Sequence, residues 1–213
     1  MQDVTELQRR AAPAGRPQPL AFHRDRLWIG SWDTDRLYAL DPRTWDVVDE
    51  VLAPGKPYGI AVQGDDIVTV LGVGDDDDRY LYRFAPGRGF DTNPAPCPDF
   101  TGSHLAAGGE TLYLCQQGNR RVLVLDPGGA VRREIPLTTR CAGLAFGPSG
   151  ESFIIAGDAE FENLELAAYD LRRDVPELAP VAAVGFDARG LTFDGANRWT
   201  SHREASEIVS FTL

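Results

Sequence analysis

Five short apolar segments recur along this chain at nearly even spacing. They read PLAF at Pro19–Phe22, GIAV at Gly59–Val62, HLAA at His104–Ala107, GLAF at Gly143–Phe146 and GLTF at Gly190–Phe193. Aligned on Leu20, Ile60, Leu105, Leu144 and Leu191, successive copies lie 40, 45, 39 and 47 residues apart. A tight turn rich in Gly, Asp or Asn follows each copy (HRDR, QGDD, AGGE, GPSG, DGAN). A second apolar run comes next (LWIGSW, IVTVLG, LYLCQQ, SFIIAG, RWTSH), and a polar loop then leads to a third (RLYALD, RYLYRF, RVLVLD, LELAAYD, EIVSFTL). Some units close with a fourth run, such as DVVDEVLA or AVRREIPL. Runs of this length bounded by turn formers read as strands, and nothing in the chain carries a convincing helical period.

A period near 40 with four strands per unit describes the blades of a β-propeller. The expected fold is all-β: five four-stranded antiparallel blades in a single domain, at about residues 19–55, 56–100, 101–139, 140–186, and 187–213 plus 1–12. The last unit stops at Phe211-Thr212-Leu213, after its third strand, and lacks a fourth. The segment DVTELQRRAAPAGRPQPLAF resembles DVVDEVLAPGKPYGIAV, a fourth strand leading into the next unit. Residues near Val4 to Arg10 are therefore expected to complete the last blade and close the ring, which leaves only protected edges. Blade two is the weakest unit, because its fourth strand has to come from the Pro-rich stretch TNPAPCPDF.

Composition narrows the classes of partner. The chain has 213 residues, 43% hydrophobic and 25% charged, and a formal net charge of −11. That charge argues against nucleic acid or an anionic membrane as partner. No apolar run is long enough to span a bilayer, and the N-terminal residues lack the apolar core of a signal peptide, so a cytoplasmic location is expected. Cys97, Cys115 and Cys141 are odd in number and widely spaced, which suggests neither a disulfide framework nor a zinc ribbon.

The segment LAAGGETLYLCQQGNRRVLVLDPGGAVRREIPL resembles an NHL repeat. KPYGIAV and RGLTFDGANRWTSHREASEIVSFTL resemble repeats of the wider group that holds SMP-30-like (gluconolactonase-like), YncE-like and streptogramin-lyase-like propellers. The resemblance runs over nearly the whole chain through strand and turn pattern. It implies a propeller with a site at one end of the central channel. In the lactonase branch it implies a divalent metal held by Glu, Asn and Asp, and in some lyases a zinc held by three histidines. The matching positions here carry Tyr58, His104, Cys141 and Arg189, and the chain has only three histidines, with His23 at the opposite end. Both departures argue against those metal sites. No cofactor is expected, although a divalent metal held by His104, His202 and a carboxylate such as Asp187 stays open.

In a four-stranded meander, the loop leading into strand one and the loop after strand two lie at the same end. The residues gathered there are the candidate site, since a propeller has one concave mouth at that end. His104 takes a position that is Gly or Pro in the other four copies. An imidazole at that position either carries a proton as a general acid/base or plugs an otherwise empty channel. His202 and Tyr58 are further catalytic candidates. Trp32, Gln116, Gln117 and Arg189 are candidates for orienting a substrate, and Cys141 for contacting it. The run GDDDDR at Gly74–Arg79 lacks the ligand spacing of a calcium loop and reads as a solvated turn. The expected function is that of a small-molecule enzyme using acid/base chemistry at the channel mouth, of lyase, cyclase, isomerase or hydrolase type. The alternative is a noncatalytic propeller that binds a protein or a small ligand. A monomer or weak homodimer is expected.

Overall fold

The computed structural model describes residues 1–213. Five antiparallel sheets form the blades of a five-bladed propeller. Blade one comprises Pro17–His23, Arg26–Ser31, Arg36–Leu40 and Val47–Leu52. Blade three comprises His104–Gly108, Thr111–Gln116, Arg121–Leu125 and Val131–Pro136. Blade four comprises Arg140–Phe146, Ser152–Gly157, Leu164–Ala168 and Ala179–Val184. In blade five, Ala188–Phe193, Arg198–His202 and Glu207–Thr212 are joined on the outside by Thr5–Ala11 from the N-terminus. Thr5 pairs with Thr212 and Ala11 with Glu207, so the first strand of the chain closes the ring. A three-residue 3-10 turn at Pro98–Phe100 is the one helical element, and no helix is long and apolar enough to cross a membrane.

Blade two is incomplete on its outer side. Lys56–Gln63, Asp66–Val73 and Asp78–Ala85 are regular, but only the two-residue strands Gly89–Phe90 and Ala95–Pro96 pair with the third. The prolines of TNPAPCP lack the N–H groups a full ladder needs. Asp91 closes part of the gap: its N–H donates to the Arg83 carbonyl, and its Oδ1 accepts from the Arg83 N–H.

The core lies between blades. There are five apolar clusters, and each joins the facing sheets of two neighbouring blades. This explains why second and third strands such as Arg26–Ser31 and Arg121–Leu125 are buried at nearly every position rather than alternately. In Thr111–Gln116, Leu112 and Leu114 pack toward blade two, while Tyr113 and Cys115 pack toward blade four. A strand presents successive side chains to opposite faces, and here both faces are covered. The interface between blades five and one has the smallest cluster, six buried residues, and adds a stacked pair, Trp45 and Trp199, with centroids 6.1 Å apart.

The innermost strands share one feature that shapes the channel. In blades one, two, four and five the pairing with strand two slips by one residue, at Gln18–Pro19, Tyr58, Ala142 and Gly190–Leu191. Blade three shows the same bulge at its start: the Ser103 N–H donates to the carbonyl of Cys115, the residue that His104 pairs with, and the register then runs unbroken to Gly108 with Thr111. At this level the inner strands crowd one another. A Cβ on Gly143 would lie 2.8 Å from the Gly190 backbone, and Gly190 itself has φ +71° with the Gln18 carbonyl 2.7 Å from where a Cβ would sit. Only glycine fits there.

Candidate functional site

The channel has three layers, set by consecutive residues of the inner strands. At one end is an apolar cup of about 160 Å³ lined by three residues from each blade, among them Phe22, Phe146 and Phe193. Its one polar side chain, Thr192, accepts the Phe22 N–H. Next comes a throat of about 10 Å³ where Pro19, Gly59, His104 and Gly190 meet. At the other end is a mouth pocket of about 320 Å³. Gln18, Tyr58, Ser103 and Arg189 line the mouth, and each directly precedes one of those throat residues.

Trp32, Gln117, Phe161 and three arginines, Arg79, Arg189 and Arg203, complete the working surface of the mouth. No carboxylate lines it. Each guanidinium lies over an aromatic ring: Arg79 over Tyr58 at 3.6 Å, Arg189 over Phe161 at 4.5 Å, and Arg203 over Trp32 at 4.9 Å from the centroid. Cations favour the negative face of an aromatic ring, so the rings fix the planes of the guanidiniums. Trp32 is anchored in turn, with its indole N–H on the Pro57 carbonyl at 2.7 Å and its ring 4.8 Å from that of Tyr58. Each arginine also has a carboxylate behind it, outside the lining: Asp77 at 2.9 Å from Arg79, Asp187 at 2.5 Å from Arg189, and Glu204 at 3.1 Å from Arg203. Arg189 also donates to the Ala188 carbonyl at 2.8 Å and Arg203 to Gln18 Oε1 at 3.3 Å, which still leaves N–H donors of each five-donor guanidinium unused.

Arg189 is only 7% exposed. Burial, with the like charge of Arg203 added, lowers its pKa from the usual arginine value, against the pull of Asp187. It stays charged, because an arginine starts so far above neutrality. Tyr58 donates its hydroxyl proton to Asp77 Oδ2 at 2.6 Å. Burial, then this hydrogen bond, raises its pKa well above the usual tyrosine value. It therefore acts as a fixed donor and not as a base near neutral pH. Asp77 sits at positive φ (54°) in the turn of GDDDDR, where it holds both Tyr58 and Arg79. This acidic run is thus more than a solvated turn.

His104 forms the throat. It is 2% exposed, and its Nε2 is buried without a hydrogen-bond partner. Burial first, and then the charges of Arg189 and Arg203, push its pKa down to about 3. The imidazole is neutral at physiological pH and cannot cycle a proton there in the way expected of a general acid/base.

The mouth gathers Trp32, Tyr58, Gln117 and Arg189 from among the residues singled out in the sequence. Three others lie elsewhere, and their roles need correcting. Gln116 is fully buried; its amide donates to the Pro98 and Thr101 carbonyls and its oxygen accepts from Asn119 and Arg121, so it ties down the loop before blade three. Cys141 is fully buried, and its thiol donates to the Gly143 carbonyl at 3.3 Å. His202 stands toward the outer part of blade five, with Nδ1 2.9 Å from Arg9 Nη1 and its ring against Phe186. His104, His202 and Asp187 do not come together, and no group of three or more His, Cys, Asp or Glu side chains forms a metal site. Arg79, Arg203 and Phe161 were not picked out from the sequence. For Arg79 the one available signal was a single cation directly after four aspartates.

No family model matches the chain, and no curated protein matches it in sequence. Many solved structures match it in shape. Glutaminyl cyclase from Myxococcus xanthus is similar over 99% of this chain and 98% of its own, with a TM-score of 0.72 and 11% identity. Virginiamycin B lyase from Staphylococcus aureus, in a structure with quinupristin, is similar over 94% of this chain and 82% of its own, with a TM-score of 0.57 and 14% identity. Hydrazine synthase from Kuenenia stuttgartiensis gives a TM-score of 0.56 at 17% identity, and this chain spans 57% of that one. The likeness is one of fold. It supports the propeller architecture, and enzymes stand among the neighbours; the NHL and SMP-30-like groups in particular are not singled out.

Proposed function

We propose that the mouth pocket binds a small oxyanion-bearing molecule, a carboxylate or phosphate. One observation carries this reading. In a chain of net charge −11, three guanidiniums and no carboxylate line a single concave pocket. Aromatic rings already hold the faces of those guanidiniums, so their edges are what a ligand meets, and guanidinium edges match carboxylate and phosphate oxygens in pairs. The acidic remainder of the surface repels such a ligand, and the pocket is the local exception.

The three arginines are set by rings and carboxylates that are in place before any ligand arrives, so little ordering cost remains to be met on binding. The test is calorimetric titration with succinate, inorganic phosphate, a neutral diol and a diamine. Anions are expected to bind with one site per chain, more weakly as salt rises, and the others are not. Arg203→Gln, at the open side of the pocket, is expected to weaken succinate about tenfold with the circular dichroism spectrum unchanged. Equal binding by that variant overturns the reading.

A second reading is that the bound molecule is also turned over. It is favoured by the unpartnered Nε2 of His104 in the throat that adjoins the pocket, a neutral nitrogen that can orient a reacting group without itself carrying the proton. The enzymes among the structural neighbours make this plausible through the fold alone. Loss of starting material from a panel of small acids over hours, abolished in Arg189→Gln and Arg203→Gln together, is the outcome this reading requires.

A further inference from the structure

We infer that His104 is a specificity-determining residue of the mouth: it reads a neutral hydrogen-bonding group, a hydroxyl in the simplest case, on the same molecule whose oxyanion the arginines hold. This inference rests on the oxyanion reading above and adds a second contact, on the side of the ligand that faces the throat.

Three observations converge on His104. Its four counterparts are Pro19, Gly59, Gly143 and Gly190, none of which has a polar side chain, so this is the one side-chain hydrogen-bonding group in that layer. Its Nε2 is buried and has no partner within the protein. A buried polar atom without a partner costs about 1–3 kcal/mol, and such atoms in folded proteins are usually met by water or by a ligand. Finally, the throat of about 10 Å³ it shares with Gly59 and Gly190 has room for about one water molecule or one hydroxyl oxygen.

The path from mouth to throat is short. Ser103 and Arg189 line the mouth, and the residues that follow them, His104 and Gly190, line the throat. A ligand whose carboxylates meet Arg79, Arg189 and Arg203 therefore has the throat directly below it. A hydroxyl on that ligand fills the throat and pairs with Nε2. A ligand lacking the hydroxyl leaves the nitrogen without a ligand partner. Below the throat the channel turns apolar, with Leu20, Ile60 and Leu105 as its upper wall, so a charged or longer polar arm finds nothing to pair with. The ligand class is thus a compact hydroxy acid, or a phosphate ester with one free hydroxyl near the anion.

The test compares malate with succinate, two four-carbon diacids that differ by one hydroxyl. Calorimetry on the wild-type protein is expected to show malate bound about tenfold more tightly. His104→Leu is expected to bind succinate as the wild type does and to lose the preference for malate. His104→Gln, which restores a side-chain donor and acceptor, is expected to regain part of it. In case the variants do not fold, the nitrogen resonances of His104 in the wild type serve as a second measurement: malate shifts Nε2, and succinate does so far less. Succinate binding with no preference for malate overturns the inference and leaves the oxyanion site standing, as does a preference that survives His104→Leu. If neither acid nor inorganic phosphate binds, the oxyanion reading fails and this inference fails with it; if phosphate alone binds, the oxyanion site stands and the hydroxy-acid inference is overturned.

Discussion

The guanidinium of Arg79 lies 3.6 Å from the centroid of the Tyr58 ring, and Asp77 holds both partners, at 2.9 Å from Arg79 and 2.6 Å from the Tyr58 hydroxyl. An arginine, an aromatic ring and an acid from two strands and a turn are thereby locked into one orientation at the mouth. The hydroxyl and the ring do separable work. Tyr58→Phe removes the bond to Asp77 and is expected to cost about 1 kcal/mol of stability, the usual net worth of one hydrogen bond, while changing succinate affinity less than about threefold. Tyr58→Ala removes the surface on which Arg79 rests and is expected to lower affinity about tenfold. Urea denaturation and calorimetry on the two variants separate these effects.

Arg189 and Asp187 form the most buried ion pair of the mouth, with side chains 9% and 23% exposed, and Asp187 Oδ2 has no hydrogen-bond partner. Removing one member of such a pair strands the other charge. Arg189→Gln is expected to lose about 2–4 kcal/mol of stability, at the upper end of single-substitution effects. Arg189→Gln with Asp187→Asn is expected to recover about half of that stability and none of the anion affinity. A double variant no more stable than the single one contradicts this.

The fold was largely legible in the sequence, and the site only partly so. The five inner segments and the tight turns after them are local features, and five interblade clusters follow from strands that bury both faces. The closing strand Thr5–Ala11 could be found because a ring of four-stranded blades needs it, and its own sequence repeats the strand that precedes Lys56. The mouth depends on side chains from different blades, so neither its three-arginine lining nor the ring beneath each guanidinium has a sequence signature. Gln116 and Gln117 are adjacent on the chain, yet one ties down a loop and the other lines the pocket. The strand Thr111–Gln116 ends at the first and the turn begins at the second, a boundary not readable from residue type.

Ring closure predicts a strong effect at the N-terminus. Deleting residues 1–11 removes the ladder from Thr5 to Ala11 and the acceptor for the Trp45 indole N–H. It also exposes Glu207–Thr212 as an open edge. The shortened chain is expected to melt at least about 10 °C lower and to self-associate, which scanning calorimetry and light scattering check. A synthetic peptide of residues 1–11 is expected to restore part of the stability.

His104 makes stability depend on pH in a defined window. Its folded pKa, about 3, lies below the ordinary value of 6.5, so the unfolded chain binds a proton between these two values and the folded one does not. The penalty is absent above about pH 6.5 and grows as pH falls toward 3. His23, whose pKa is also lowered by burial and by Arg24, adds in the same direction. His104→Gln is expected to flatten the loss of stability between pH 7 and 4, as read from urea midpoints, and wild-type His104 is expected to remain neutral by NMR at pH 4.5.

All three cysteines are buried, and burial pushes the Cys97 thiol up to about 12. Thiolate is the reactive form. The native protein is expected to react with a disulfide reagent at least about a hundredfold more slowly than the urea-unfolded chain. Fast labelling of Cys141 in the native protein would return it to the list of site residues.

The most direct test of the central claim is a titration of succinate into ¹⁵N-labelled protein, reading the Nε–Hε signals of the arginines and the indole signal of Trp32. The expected result is a set of saturable shifts at Arg79, Arg189, Arg203 and Trp32 with a common midpoint, weakened by salt. Shifts that never saturate, or that fall evenly on arginines around the outer blades such as Arg36 and Arg132, would show that the mouth is not an anion site.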